Sequence, residues 1–411
     1  MSILKLIGPF SQILTMNGLP LKGPIKDDKL EIVKDGGVLF KDHLIHAIGD
    51  FNTLIKSNEK AQVIKIEHDS VALPGFIDPH THICFAGSRA NDYSMRINGK
   101  TYLEIAKEGG GIWQTVQKTR EASTDQLYNS TIKRAESLLN NGITTAEVKS
   151  GYGLSLESEL KMLETIKSAN ENSKIDLIST CLAAHIVPKD FQGKPKDYLT
   201  FVLKELLPIV KKKKLSNRVD VFIEDGAFNA KEALEFLLKA KDIGFDLTIH
   251  GDQFTPSGSN VAIEVEALSV DHLEASTEEE IGALAKSNVV ATVLPGASIG
   301  LGMPFAPARK LLDAGCSVSV GSDWNPGSAP MGNLLTQSAV LSASEKLSNS
   351  EVFAGITFRA ARALNLRDRG TLLHEKLADI IGFPCDDYRE ILYHQGQMTP
   401  NIMYKKGIKI K

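Results

Sequence analysis

From residue 73 onward the chain repeats one pattern: a short apolar segment of strand character, then a longer amphipathic one. Apolar segments of this kind fall at 73–82, 144–149, 175–185, 219–223, 246–250, 268–272, 289–295 and 317–323. Stretches of helical periodicity separate most of them, at 101–118, 124–140, 155–170, 230–243 and 276–286. Strands alternating with crossover helices predict a parallel sheet, and eight of them predict a closed α/β barrel, (β/α)8, of the TIM type. The flanks read differently. Residues 1–68 carry short β segments and turns, including a hairpin in which Lys41-Asp42-His43 turns between 37–40 and 44–49. Beyond Pro326 the pattern is helical to about 365, with a cap expected at Ser350, and 378–383 and 402–404 return to short strands.

Titratable residues gather where the barrel segments end. His80 and His82 close the first, His185 follows the third, His250 and His272 close the fifth and sixth, and Asp323 closes the eighth. In a barrel those ends converge on one mouth, so residues far apart in sequence become neighbours. His80 and His82, two positions apart in an extended segment, project the same way and can grip one ion. Imidazole nitrogen with carboxylate oxygen suits zinc or Fe(II), with a position left open for water when the site is catalytic. Taken singly, His250 or His272 reads as a structural histidine and Asp323 as a helix cap. Their joint placement at strand ends favours the metal reading.

The phrase Pro74-Gly75-Phe76-Ile77-Asp78-Pro79-His80-Thr81-His82 resembles the first-strand signature of the amidohydrolase superfamily, whose members hydrolyse C–N and related bonds with bound metal. That resemblance implies His80, His82, His250 and Asp323 as ligands. It also implies that the tail joins the N-terminal strands, giving a composite β-sandwich domain from 1–68 and 366–411 around a barrel at 69–365. Binuclear members commonly carry a carboxylated lysine on the fourth strand, where this chain has Glu224-Asp225. One divalent transition metal per chain, zinc or iron, is therefore expected.

The loops narrow the chemistry. Arg89 follows the metal strand in Phe85-Ala86-Gly87-Ser88-Arg89, and its planar fork suits a carboxylate. Without context it would be a rim arginine in a surface ion pair. With Gly109-Gly110-Gly111-Ile112, Glu147-Val148-Lys149-Ser150-Gly151-Tyr152-Gly153-Leu154 and Ser322-Asp323-Trp324-Asn325-Pro326-Gly327-Ser328, the chain resembles the imidazolonepropionase family along essentially its full length. The resemblance implies ring-opening hydrolysis of 4-imidazolone-5-propanoate to N-formimidoyl-L-glutamate. It implies that Arg89, Tyr152, His185 and Asn325 contact this small anionic substrate, and that Gly327 and Ser328 bind its carboxylates. Asp323 would act as base, with His272 on the developing oxyanion and His185 as helper. Some family members carry glutamate where this chain has Gln253; an amide takes no proton, so Gln253 can only orient water or substrate. Another cyclic amide or amidine hydrolase, or a heterocycle deaminase, would need no carboxylate clamp, so Arg89 and Tyr152 separate those readings. A non-catalytic barrel scaffold would usually lose its ligands, which are intact here.

Composition excludes other classes. Net charge is −3, and the basic run Lys211 to Lys214 sits beside an apolar helical pattern. Nucleic acid and anionic membrane are poor partners for such a chain. Four cysteines lack Cys-x-x-Cys spacing, no apolar run approaches about 18 residues, and the N-terminus has no leader pattern. A soluble cytoplasmic protein is expected, and a homodimer, the commonest oligomer. His43, His46 and His68 lie among turn and strand residues and are expected to be exposed and not to bind metal.

Overall fold

The protein's structure is a computed structural model that describes residues 3–100 and 102–411. The barrel strands are β1 (Phe76–Asp78), β2 (Ile143–Lys149), β3 (Asp176–Ala184), β4 (Arg218–Phe222), β5 (Asp246–Gly251), β6 (Ser269–His272), β7 (Val290–Val293) and β8 (Ser317–Val320). They pair in sequence order, each parallel to the next. The barrel closes just beyond the ends of β8 and β1. There Asp323 N–H donates to the His80 carbonyl at 3.0 Å, and His82 N–H to the Trp324 carbonyl at 3.0 Å. That closure sets the first and last of the expected ligands side by side.

Every residue of β2 is buried, as expected of a strand with barrel interior on one side and helices on the other. Alternation assigns Thr145, Glu147 and Lys149 to one face, the interior one. The crossover helices form where periodicity places them and begin at side-chain caps. Ser123 caps Thr124–Asn140, Ser155 caps Leu156–Asn172, Asn229 caps Ala230–Asp242 and Thr277 caps Glu278–Lys286.

Three details differ from expectation. The helix expected at 101–118, whose first residue lies outside the described ones, is two helices, Tyr102–Lys107 and Ile112–Glu121. They are parted by Gly109 and Gly111, both at positive φ. The cap of Asn349–Gly355 is Ser348, in a capping box with Glu351; Ser350 is turned instead to Ile25 and Asp27. The apolar run at 73–82 is shared between two sheets: Val71–Pro74 completes the small one, and Gly75 passes the chain to β1. A side chain at Gly75 would run into Thr144.

The small sheet has eight strands drawn from both ends of the chain, ordered Ile408–Lys409, Ile402–Lys405, Ile380–Phe383, Val71–Pro74, Leu4–Leu14, Ile32–Lys41 and Leu44–Asp50, with Gln62–Lys65 also beside Leu4–Leu14. Phe40 and Tyr404, four strands apart, meet with ring centroids at 5.5 Å. Flat, they would stand roughly 19 Å apart, so the sheet curls on itself like a sandwich. It meets the barrel at the start of β3, where Asp176 pairs with Arg369 (2.5 Å), Lys405 (2.9 Å) and Lys406 (2.7 Å). His43, His46 and His68 are exposed. The four cysteines are free and buried. No helix among the described residues is long and apolar enough to cross a membrane.

Candidate metal centre and active site

Four side-chain atoms converge at the C-terminal mouth. His82 Nε2 lies 3.2 Å from His80 Nε2 and 3.3 Å from His250 Nε2. Asp323 Oδ1 lies 3.5 Å from His80 Nε2 and 3.4 Å from His82 Nε2. The three imidazoles offer one ligand atom each within 4.8 Å of one another, a grouping that one cation could fill. All four residues are buried. The donor set fits a borderline transition ion, three imidazoles and one carboxylate. Asp323 reaches the point with φ +52, a left-handed conformation rare outside glycine and common at functional sites. A cleft of about 540 Å³ between residues 224–230 and 255–257 touches none of these ligands.

Beneath the candidate ligands lies a charged layer that the sequence reading missed. His80 Nδ1 sits 2.7 Å from Asp271 Oδ2, and His250 Nδ1 sits 2.8 Å from Asp220 Oδ2. Both oxygens also face Lys149 Nζ, at 3.4 and 2.7 Å, and Glu147 Oε2 lies 2.8 Å from the same ammonium. The grouping of His80, Glu147 and Asp271 is thus already filled by a lysine. Burial opposes every charge here, and the partners decide the outcome. Despite burial, His250 and Lys149 hold the Asp220 carboxyl below its usual range. Lys149 and His80 do the same for Asp271. Burial and Lys149 disfavour a charged His80, yet Asp271 and Asp323 push its imidazole up to about 9. Burial lowers His250 to about 4. The overlooked signal was charge inside apolar strands: Glu147-Val148-Lys149, Asp220 and Asp271.

The sequence profile of the amidohydrolase family matches residues 71–408. The chain is 38% identical to imidazolonepropionase of Bacillus cytotoxicus over 408 residues, 98% of this chain and 95% of that one. It is 41% identical to imidazolonepropionase of Myxococcus xanthus over 336 residues, 81% and 80% of the two chains. It belongs to the imidazolonepropionase family of amidohydrolases. Among solved structures it resembles Helicobacter pylori aminofutalosine deaminase (TM-score 0.69, 19% identity, 99% of this chain and 100% of that one). It also resembles a zinc-complexed atrazine chlorohydrolase from Arthrobacter aurescens (TM-score 0.69, 16% identity, 98% and 94%). At such identities the likeness concerns the fold alone.

In this amidohydrolase the remaining expected site residues ring the mouth. Arg89 Nε donates to Asp92 Oδ2 at 2.8 Å, and Asp92 Oδ2 also accepts from Gly111 N–H at 2.8 Å. The Arg89 guanidinium packs against Gly327, where a Cβ would come within 2.3 Å of Nη1. Asn325 Oδ1 accepts from Gly327 and Ser328 N–H at 2.7 and 2.8 Å, and its Nδ2 donates to the Asp323 carbonyl and Ser328 Oγ. Both donors and both acceptor lone pairs of Asn325 are therefore taken by its own loop. Ser328 Oγ also donates to Asp323 Oδ2 at 3.3 Å.

His185 stacks on His82, with centroids at 5.6 Å, and lies 5.5 Å from the Tyr152 ring. Its Nδ1 is 3.1 Å from the Gly151 carbonyl, which can only accept, so Nδ1 carries the proton and Nε2 offers a lone pair. Burial, and secondarily the neighbouring His250, lower it to about 3, keeping it neutral. Burial also raises the Tyr152 phenol above its ordinary range. His272 and Leu273 both have positive φ, at 93° and 74°. This turn brings Glu274 Oε2 to 3.4 Å from His272 Nδ1, and both atoms are buried without a hydrogen bond. Gln253 is buried between two anchored neighbours. Asp252 gathers the N–H groups of Ser257, Gly258 and Ser259, and Glu224 those of Phe254 and Thr255.

Proposed function

We propose that this chain opens the ring of 4-imidazolone-5-propanoate to N-formimidoyl-L-glutamate with one divalent transition metal, zinc or iron, held by His80, His82, His250 and Asp323. The observation that carries this reading is the convergence of three imidazole Nε2 atoms and Asp323 Oδ1, in a chain that matches imidazolonepropionases over nearly its full length. When bound, the ion polarises a carbonyl and makes water acidic enough to attack near neutral pH.

The protein's own groups do the rest. Arg89, fixed through Nε by Asp92, presents its remaining N–H groups to the propanoate carboxylate. His185 Nε2 accepts from the ring N–H, a task its tautomer suits better than oxyanion binding. Tyr152 stays a protonated phenol and donates to the substrate. Asp323 Oδ2 takes the proton from the attacking water. His272, steadied from behind by Glu274, donates to the oxygen as negative charge grows there. The ring C–N bond then breaks, the former carbonyl carbon becomes a carboxylate, and Asp323 or His272 returns a proton to the departing nitrogen. Gln253 orients water or substrate. Asn325 shapes the loop that carries Gly327 and Ser328, so that Ser328 Oγ, more than the loop's backbone, faces the site.

The test is an assay with enzymatically generated 4-imidazolone-5-propanoate, following loss of the ring chromophore in metal-loaded and chelator-stripped protein. Turnover that needs the metal supports the reading; a loaded protein inert toward this substrate sinks it. The reading also carries a cytoplasmic homodimer, for which sedimentation of the purified chain is the check on assembly.

A further inference from the structure

Lys149 is a cation buried directly beneath a cation site, which on Coulomb's law alone should weaken metal binding. Its contacts argue the reverse. The two oxygens that face the ligand imidazoles, Asp220 Oδ2 at His250 Nδ1 and Asp271 Oδ2 at His80 Nδ1, are the same oxygens that meet its ammonium. The other oxygen of each carboxylate is fixed from elsewhere. Asp220 Oδ1 accepts from His250 N–H at 3.2 Å, and Asp271 Oδ1 from Ser269 Oγ at 2.7 Å. Glu147 holds the lysine in the barrel centre, and Thr180 Oγ1 (2.5 Å) and Arg218 Nε (3.4 Å) hold Glu147 in turn. Lys149 and all three carboxylates are buried. His250 Nδ1 meets Asp220 Oδ2 by proximity at 2.8 Å without hydrogen-bond alignment, and His82 Nδ1 has no carboxylate partner.

We propose that Lys149 is a positioning residue for the metal. It ties Asp220 and Asp271 together so that both accept an imidazole Nδ1–H, which leaves the Nε2 lone pairs of His80 and His250 facing the ion. Without the ammonium, Asp220 Oδ2 loses its cation and Asp271 Oδ2 keeps only the Thr248 hydroxyl, at 3.3 Å, beside its imidazole. Outer partners of this kind orient ligands and set metal affinity. The inference rests on the metal reading above, and its test separates the two.

The full-length chain is stripped with chelator, and Zn²⁺ affinity is measured by competition with a chromogenic chelator, alongside the Co²⁺ d–d spectrum. Lys149→Met and the charge-balanced Lys149→Met/Glu147→Gln are compared with wild type, with circular dichroism and melting as controls. The expected result is a folded double variant whose Zn²⁺ affinity falls by roughly 10- to 100-fold and whose Co²⁺ bands shift. A folded double variant that binds Zn²⁺ as tightly as wild type, or more tightly, overturns the proposal in favour of plain repulsion. Variants that lose their fold in stripped and loaded form alike assign the lysine to the fold and overturn it too. A wild-type chain that holds no Zn²⁺ would instead remove the metal reading itself.

Discussion

The floor of the site and its rim both rely on buried carboxylates, but they pair them differently. In the floor, Glu147, Asp220 and Asp271 face cationic or imidazole groups inside the barrel. At the rim, Glu159 gathers the N–H groups of Gly151, Gly153 and Leu154, Asp252 those of Ser257 to Ser259, and Asp92 that of Gly111. On the proposed function, floor carboxylates aim side chains at the ion, while rim carboxylates fold the loops around the substrate. Strand backbone leaves few N–H groups to collect, that of His250 at Asp220 Oδ1 being one, whereas irregular loops leave many. Substitutions should divide accordingly: floor and ligand changes act on metal and kcat, rim changes on KM and loop order.

The largest effect is expected at Asp323, where the two regions meet. If its outer oxygen takes the proton from water, Asp323→Asn should lower kcat by about three orders of magnitude at matched metal occupancy. Should metal-loaded Asp323→Asn keep near-normal kcat while His272→Asn abolishes it, the two roles exchange.

Arg89 comes next, as a rim residue that acts on binding. Arg89→Ala should reduce kcat/KM by roughly 10- to 100-fold, mainly through KM, and Arg89→Lys should recover only part because the fork is lost. Zn²⁺ affinity should not move; a change in metal binding would erase the division between rim and floor. Glu159→Ala tests a rim anchor that meets no substrate. Stranding its three buried N–H groups should cost about 1–3 kcal/mol in stability and raise KM about tenfold as the Tyr152 loop loosens. Unchanged melting would mean that the carboxylate is dispensable.

Which parts were legible in the sequence follows the same division. The four proposed ligands sit at or just past strand ends, so the pattern of strands locates those residues with no tertiary information. The floor was half legible, since Glu147 and Lys149 share a face by alternation, but only the folded barrel sets Asp220 and Asp271 around them. The run at 73–82 could not be divided, because Val71–Pro74 and β1 are equally apolar and only Gly75 marks the junction. Asn325 carries a second reading for a physical reason. Asn-Pro-Gly-Ser is also a turn sequence, and in the fold the amide serves the turn.

The smallest effect is expected at Gln253, and it bears most directly on what the rim can do. Its backbone is fenced by Asp252 on one side and by the Glu224 contacts to Phe254 and Thr255 on the other, so its side chain is placed without depending on its own bonds. An amide neither takes nor gives a proton at any working pH, which confines it to orienting. Gln253→Ala removes at most one or two neutral hydrogen bonds and should cost less than about tenfold in kcat/KM. Gln253→Glu is the sharper variant, because it places a possible base at the rim. If the base must stand at the metal ligands, as Asp323 does, then Asp323→Asn/Gln253→Glu should remain as slow as Asp323→Asn alone. Recovery of turnover in that double variant, at equal metal content, would show that a rim carboxylate can do the work of Asp323.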